Sequence, residues 1–154
     1  MIKKCSIGDV FALATKDGFV ALQHIGLDDD GVEVIRVLRP LLNSKSMIDD
    51  NVINDKEHFI VRFPLLASYK KNLVDFIGNF PIPPNTSIPM YYRTLDYIPH
   101  KSIRNWYMVE AATSKRQIVN ELTSQFLALS PSGIWNVAYL REQLEMGWTL
   151  ENWK

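Results

Sequence analysis

A chain of 154 residues with 47% apolar content is long enough to bury a sizeable core and too apolar for wholesale disorder. Seventeen Lys and Arg balance seventeen Asp and Glu, and without a basic excess to meet phosphates a dedicated nucleic-acid binder is disfavoured. The single cysteine, Cys5, excludes an intramolecular disulfide and a thiolate-rich metal cluster, and no run approaches the ~18 apolar residues of a membrane-spanning helix.

The start, MIKKCSIGDVF, has basic residues but no apolar stretch before a small-residue cleavage site. A secretory leader is not expected, and the expected location is the cytoplasm. Residues 9–15 then place Val10, Ala12 and Ala14 on one side and Phe11 and Leu13 on the other, and 19–26 alternate just as loosely. Asp17-Gly18 between them is a preferred turn pair, because glycine accepts positive φ without steric cost. This is the pattern of a hairpin. A second turn, Asp28-Asp29-Asp30-Gly31, leads into VEVIRVL at 32–38, a β-branched third strand. Three short strands joined by tight turns predict an antiparallel sheet or a small barrel.

Arg39-Pro40 ends that strand, and residues 43–57 are polar and aperiodic, as in a long loop. HFIVRF at 58–63 returns to strand character. Residues 64–80, PLLASYKKNLVDFIGNF, fit two periods: Leu66, Tyr69, Leu73 and Phe76 lie at helical spacing, and Val74, Phe76, Gly78 and Phe80 at strand spacing. Gly78 is costly inside a helix and favours a strand from about 73 to 80. Pro81, Pro83, Pro84 and Pro89 impose an extended connection. Residues 90–95 and 105–111 read as strands, with 117–119 a further candidate.

Asn120 is a candidate cap for a helix bearing Leu122, Phe126, Leu127 and Leu129. Ser130-Pro131-Ser132-Gly133 breaks the chain. Ile134, Val137, Tyr139, Leu140 and Leu144 support a second helix stopped by Gly147, and Thr149 can cap a last turn. The expected fold class is α+β in a single domain, 1–154: a strand-rich antiparallel body over about 7–119 with a helical segment over about 120–154. Of the four tryptophans, Trp135, Trp148 and Trp153 sit in that tail and are expected to clamp it to the strands, where Trp106 lies.

Reactive groups are sparse. His24, His58 and His100 are isolated, without metal-ligand spacing. A Cys5–His nucleophile pair would have to be held near a terminus, with only Lys3 and Lys4 to lower the thiol pKa. There is no Gly-x-Ser-x-Gly, no glycine-rich phosphate loop, and Asp28-Asp29-Asp30-Gly31 lacks the alternate carboxylates of a calcium loop. Glu121, Glu142, Glu145 and Glu151 read as the wet side of the helical tail. No catalysis, metal or cofactor is expected.

What remains is binding. Asp28, Asp29 and Asp30 in one turn and Asp49, Asp50 and Asp55 in the polar loop place six carboxylates where a basic partner would be attracted. Tyr91, Tyr92 and Arg93 are residue types enriched at interface hot spots, although on a strand at least one tyrosine should point inward. A different reading takes the basic middle segment, with Arg62, Lys70, Lys71, Arg93, Lys101 and Arg104, as the surface of a small-barrel module binding nucleic acid or a ligand.

The opening Ile7-Gly8-Asp9-Val10-Phe11, the hairpin through Asp17-Gly18-Phe19, the stretch Phe76-Ile77-Gly78-Asn79-Phe80-Pro81-Ile82-Pro83, then Tyr92-Arg93 and a strand containing Trp106 occur in a telling order. In that order, over roughly residues 7–110, the chain resembles the immunity protein 26 family of bacterial polymorphic toxin systems. The resemblance implies a cytoplasmic, β-rich antidote that binds the C-terminal domain of a cognate toxin and occludes its active site, with no cofactor and no membrane. It implies structural roles for Gly8, Asp9 and Phe11. The chain departs from many nuclease antidotes in lacking a strong acidic charge.

Overall fold

In a computed structural model describing residues 1–154, the Asp17-Gly18 turn joins β1 (Asp9–Thr15) to β2 (Gly18–Leu27), and the acidic turn joins β2 to β3 (Glu33–Leu38). With β4 (Glu57–Arg62) and β5 (Asp75–Asn79) these form an antiparallel sheet in the order β4-β3-β2-β1-β5. Because β4 and β5 lie at opposite edges, the sheet is open and does not close into a barrel. A second sheet, β8-β7-β6-β9, comprises β6 (Tyr91–Ile98), β7 (Ile103–Glu110), β8 (Arg116–Val119) and the two-residue β9 (Ser130–Pro131), which runs parallel to β6. The architecture is strand-rich α+β. No helix is long and apolar enough to cross a membrane.

The loose alternation of the first strands has a physical cause: the first sheet is buried on both faces. Phe11, Leu13, Leu22, Ile35, Val37, Phe59 and Val61 pack on one side with Trp135, Val137 and Leu140. Val10, Ala12, Ala21 and Leu38 pack on the other with Leu42, Ile48 and Ile53. A strand covered on both sides loses the polar half of its period. At the entry to β1, Gly8 has φ +94°, and a Cβ there would lie 2.5 Å from the Phe80 carbonyl oxygen. Only glycine fits so close an approach in that conformation. Asp9 next to it is buried and accepts from the Ser6 N–H (2.8 Å) and the Asn79 side-chain amide (2.9 Å).

Four expectations need correction. Residues 43–57 are not a bare loop: they hold a 3₁₀ turn (Lys45–Met47) and α1 (Asp50–Asn54), whose cap Asp49 accepts from the Val52 N–H at 3.0 Å. Buried Ile48 and Ile53 anchor this segment, too few to mark a period. Both readings of 64–80 hold in part, as α2 (Leu65–Lys70) is followed by β5 from 75 onwards. The Glu33 carboxylate caps α2, accepting from the N–H groups of Leu65 (3.1 Å) and Leu66 (3.2 Å). In the tail, Thr123 and not Asn120 caps a helix, and α3 (Ser124–Leu127) is one turn long. Finally, 130–133 is a stitch between the sheets. The Ser132 N–H donates to the Arg93 carbonyl and the Trp135 N–H to the Arg62 carbonyl, each at 3.0 Å. The second helix, α4 (Val137–Glu145), starts at its cap Asn136, leaving Ile134 exposed, and ends at Gly147 with φ +76°.

The tryptophans clamp the tail as expected, in a row of contacts from Trp135 to Trp148 (5.0 Å between ring centroids), Trp153 (5.6 Å) and Trp106 on β7 (5.1 Å). At the end of that row is Arg93, 0% exposed. Its guanidinium donates to the carbonyls of Leu129 (3.3 Å), Leu150 (2.7 Å) and Trp153 (2.7 Å) and lies 4.3 Å from the Trp153 ring centroid. It therefore belongs to the core and not to a binding surface. Burial lowers its pKa to about 10, so it stays charged at neutral pH. An ammonium in its place cannot lie flat against the rings and reach three carbonyls at once. Arg93→Lys is expected to lose about 2–4 kcal/mol in urea unfolding followed by tryptophan fluorescence; an unchanged midpoint would show that this residue does not hold the tail.

Candidate protein-binding groove

The acidic turn after β2 is built around one carboxylate. Asp28 Oδ1 accepts from the N–H groups of Asp30 (2.9 Å) and Val32 (2.8 Å), and Oδ2 faces Arg62 at 3.4 Å, leaving the side chain 6% exposed. Asp28 is thus spent on the turn. Asp29 and Asp30, which it positions, are exposed and make no side-chain hydrogen bond or ion pair. Arg62 is held in turn over the Tyr92 ring, 5.0 Å from its centroid. Tyr92 is the inward tyrosine of its pair; its hydroxyl is buried without a partner, and burial raises its pKa.

Beside this turn the chain crosses to the second sheet. The Ala111 N–H donates to the Met90 carbonyl (2.9 Å), and Tyr91 pairs with Glu110 in register. The result is an open groove of about 360 Å³ between the end of β2 and the adjoining ends of β6 and β7. Its apolar lining includes Leu27, Met90 and Tyr91, respectively 57%, 74% and 39% exposed. Its charges are those of Asp28, Asp29 and Glu110, and no Lys or Arg lines it. Flexible Met90 beside a rigid aromatic suits an adaptable contact surface.

The structure brings Asp28, Asp29 and Tyr91 together, with Asp30 on the same turn, but does not add the other expected acids. Asp49 caps α1, Asp50 is exposed in its first turn, and Asp55 accepts from the Lys56 N–H at 2.9 Å. Since Leu27 pairs with Glu33 at one end of β3 and Glu57 with Leu38 at the other, the two loops meet opposite ends of that strand, about 17–20 Å apart. The sequence reading missed Leu27, Met90 and Glu110, which look like ordinary strand residues. The basic middle segment does not converge either: Arg93 is buried, Arg62 is engaged, Lys70 and Lys71 end α2, and Lys101 and Arg104 lie at the β6–β7 turn.

A second concavity, about 420 Å³, lies between β4, α3 and the C-terminal stretch. Arg39, Lys56, His58 and Lys154 line it with Glu57 and Glu151. Nδ1 of His58 is buried without a hydrogen-bond partner, and burial, then the Arg39 charge, lower its pKa. Around Cys5 the electrostatics run against a nucleophile. Burial, then the Glu33 and Asp9 charges, push the thiol up to about 12, while burial lowers the pKa of nearby His24. The Glu33 and Asp9 carboxylates are committed to backbone donors.

No family model, no curated protein and no solved structure matches the chain.

A thiolate is the reactive form of cysteine, so its suppression is measurable. Iodoacetamide is expected to label Cys5 in the folded protein at pH 8 at least ~100-fold more slowly than in the urea-unfolded chain; equal rates would show that the fold does not restrain the thiol.

Proposed function

We propose that the chain is a stoichiometric protein inhibitor of the immunity-protein class, binding the C-terminal domain of a cognate toxin in the cytoplasm and covering its active site. The toxin class rests on the sequence resemblance over residues 7–110. The mode of action is supported by one observation: an apolar groove bordered by Glu110, whose carboxylate accepts only from the Thr113 hydroxyl, and by unpaired Asp29, presented on a turn that Asp28 and Arg62 hold rigid. Asp29 and Glu110 attract a basic surface at long range, and Leu27, Met90 and Tyr91 supply apolar area once contact is made. A partner docked there pays little ordering entropy, because the turn is already fixed. Inhibition on this reading needs no chemistry from the chain, only surface complementarity.

The test is co-expression with the toxin domain encoded beside this chain's gene. A 1:1 complex in size-exclusion chromatography and survival of the intoxicated cells are expected. The double variant Asp29→Lys, Met90→Glu, at two exposed positions, is expected to keep the wild-type melting temperature and to weaken the complex about 100-fold. Absence of a complex with the unaltered chain, or full affinity in the double variant, would reject this reading.

A further inference from the structure

The cleft between β4 and the C-terminal stretch has features the groove lacks. At about 420 Å³ it falls in the size range of small-molecule sites, and it lies at the junction of the two sheets, where such sites are common. Its walls are fixed from behind by two buried guanidinium groups. Arg93 holds the carbonyls of Leu129 and Leu150 on one side. Arg36 holds the Asp55 carbonyl (2.7 Å) and the Glu57 carboxylate (3.4 Å) on the other. Walls made this way are preorganised and need little rearrangement to accept a ligand.

The charges in the cleft do not cancel. Arg39, Lys56 and Lys154 face Glu57 and Glu151, but Glu57 is already engaged by Arg36. The Arg39–Glu151 pair is loose, at 3.9 Å, with the Arg39 side chain about half exposed, and the only other bond of Arg39 is from Nε to the Glu57 carbonyl at 3.4 Å, so its terminal nitrogens can turn to another anion. His58 also lines the cleft, with its Nδ1 buried out of reach of solvent. Leu127 and Leu150 supply apolar surface nearby.

We propose that this cleft binds a small organic anion, a carboxylate or phosphate ester, that carries an apolar body. The anion meets Lys56 and Arg39, and the apolar body rests on Leu127 and Leu150. The site is separate from the groove and does not depend on the inhibitor reading.

The test is titration of the full chain with 3-phenyllactate and with adenosine 5′-monophosphate, read by calorimetry and by the fluorescence of Trp135 and Trp148, which pack on Phe59 behind the cleft. Saturable binding of at least one is expected, with none for the uncharged counterparts 3-phenylpropane-1,2-diol and adenosine. Lys56→Ala and Arg39→Ala are each expected to weaken it about tenfold. The groove variant Asp29→Lys, Met90→Glu should leave binding intact. Failure of both anions to bind, or binding indifferent to Lys56 and Arg39, would overturn the proposal.

Discussion

The position of the C-terminal third follows from one buried cation. Arg93 sits inside the protein with no carboxylate against its guanidinium, and its hydrogen bonds go to carbonyl oxygens of three residues in the tail. The faces of Trp106, Phe126 and Trp153 surround it. A cation in such a place is tolerable only while every one of those dipoles and rings is present. The constraint therefore acts in both directions. The tail shields Arg93 from water, and Arg93 fixes where the chain must pass at 129, 150 and 153. Once these points are set, the stitch at 130–135 falls between β6 and β4 and joins the two sheets through their backbones.

Arg36 does for the other face of the first sheet what Arg93 does for the tail. It stands opposite Gln23 in the β2–β3 register and donates to its side-chain oxygen at 2.6 Å. Gln23 in turn donates to the Phe80 carbonyl at 3.0 Å, while Arg36 reaches the carbonyls of Ile53 and Asp55. A single polar path thus runs through an otherwise apolar layer, from the segment after β5 to the end of α1. Its members satisfy one another, which is the condition for a buried polar network to fix a structure and not weaken it. Neither arginine forms an ordinary surface ion pair, and both direct irregular backbone that periodic packing alone would leave free.

These arrangements mark the boundary of what the sequence makes legible. The β1–β2 hairpin is readable because its information is local: Asp17-Gly18 needs only its own dihedral freedom and β-prone neighbours. The partners of Arg93 lie 36 to 60 residues away, and a charged residue on a strand reads by default as surface. Short helices suffer similarly. The carboxylate that caps α2 comes from Glu33, on a strand more than thirty residues earlier. In the groove, Asp28, Asp29 and Tyr91 are recognisable as binding residue types, yet nothing local distinguishes them from Asp49 or Asp55. The β3 register separates the two loops. Met90 and Leu27 escape notice because an exposed apolar residue at a strand end has the same letter as a buried one.

Asp28 connects scaffold to surface. Two of its hydrogen bonds are with the backbone of its own turn, and its remaining oxygen holds Arg62, which lies over Tyr92 and whose carbonyl receives the Trp135 N–H from the stitch. The exposed acidic turn and the buried Tyr92 are therefore linked through Asp28 and Arg62. An acid on a free loop would lose much of its attraction for a partner to the entropy of being held in place. Asp29 and Asp30 avoid that loss because the residue before them is bonded into the sheet. The acidic turn is consequently a fixed charge display, and its orientation depends on the junction between the two sheets.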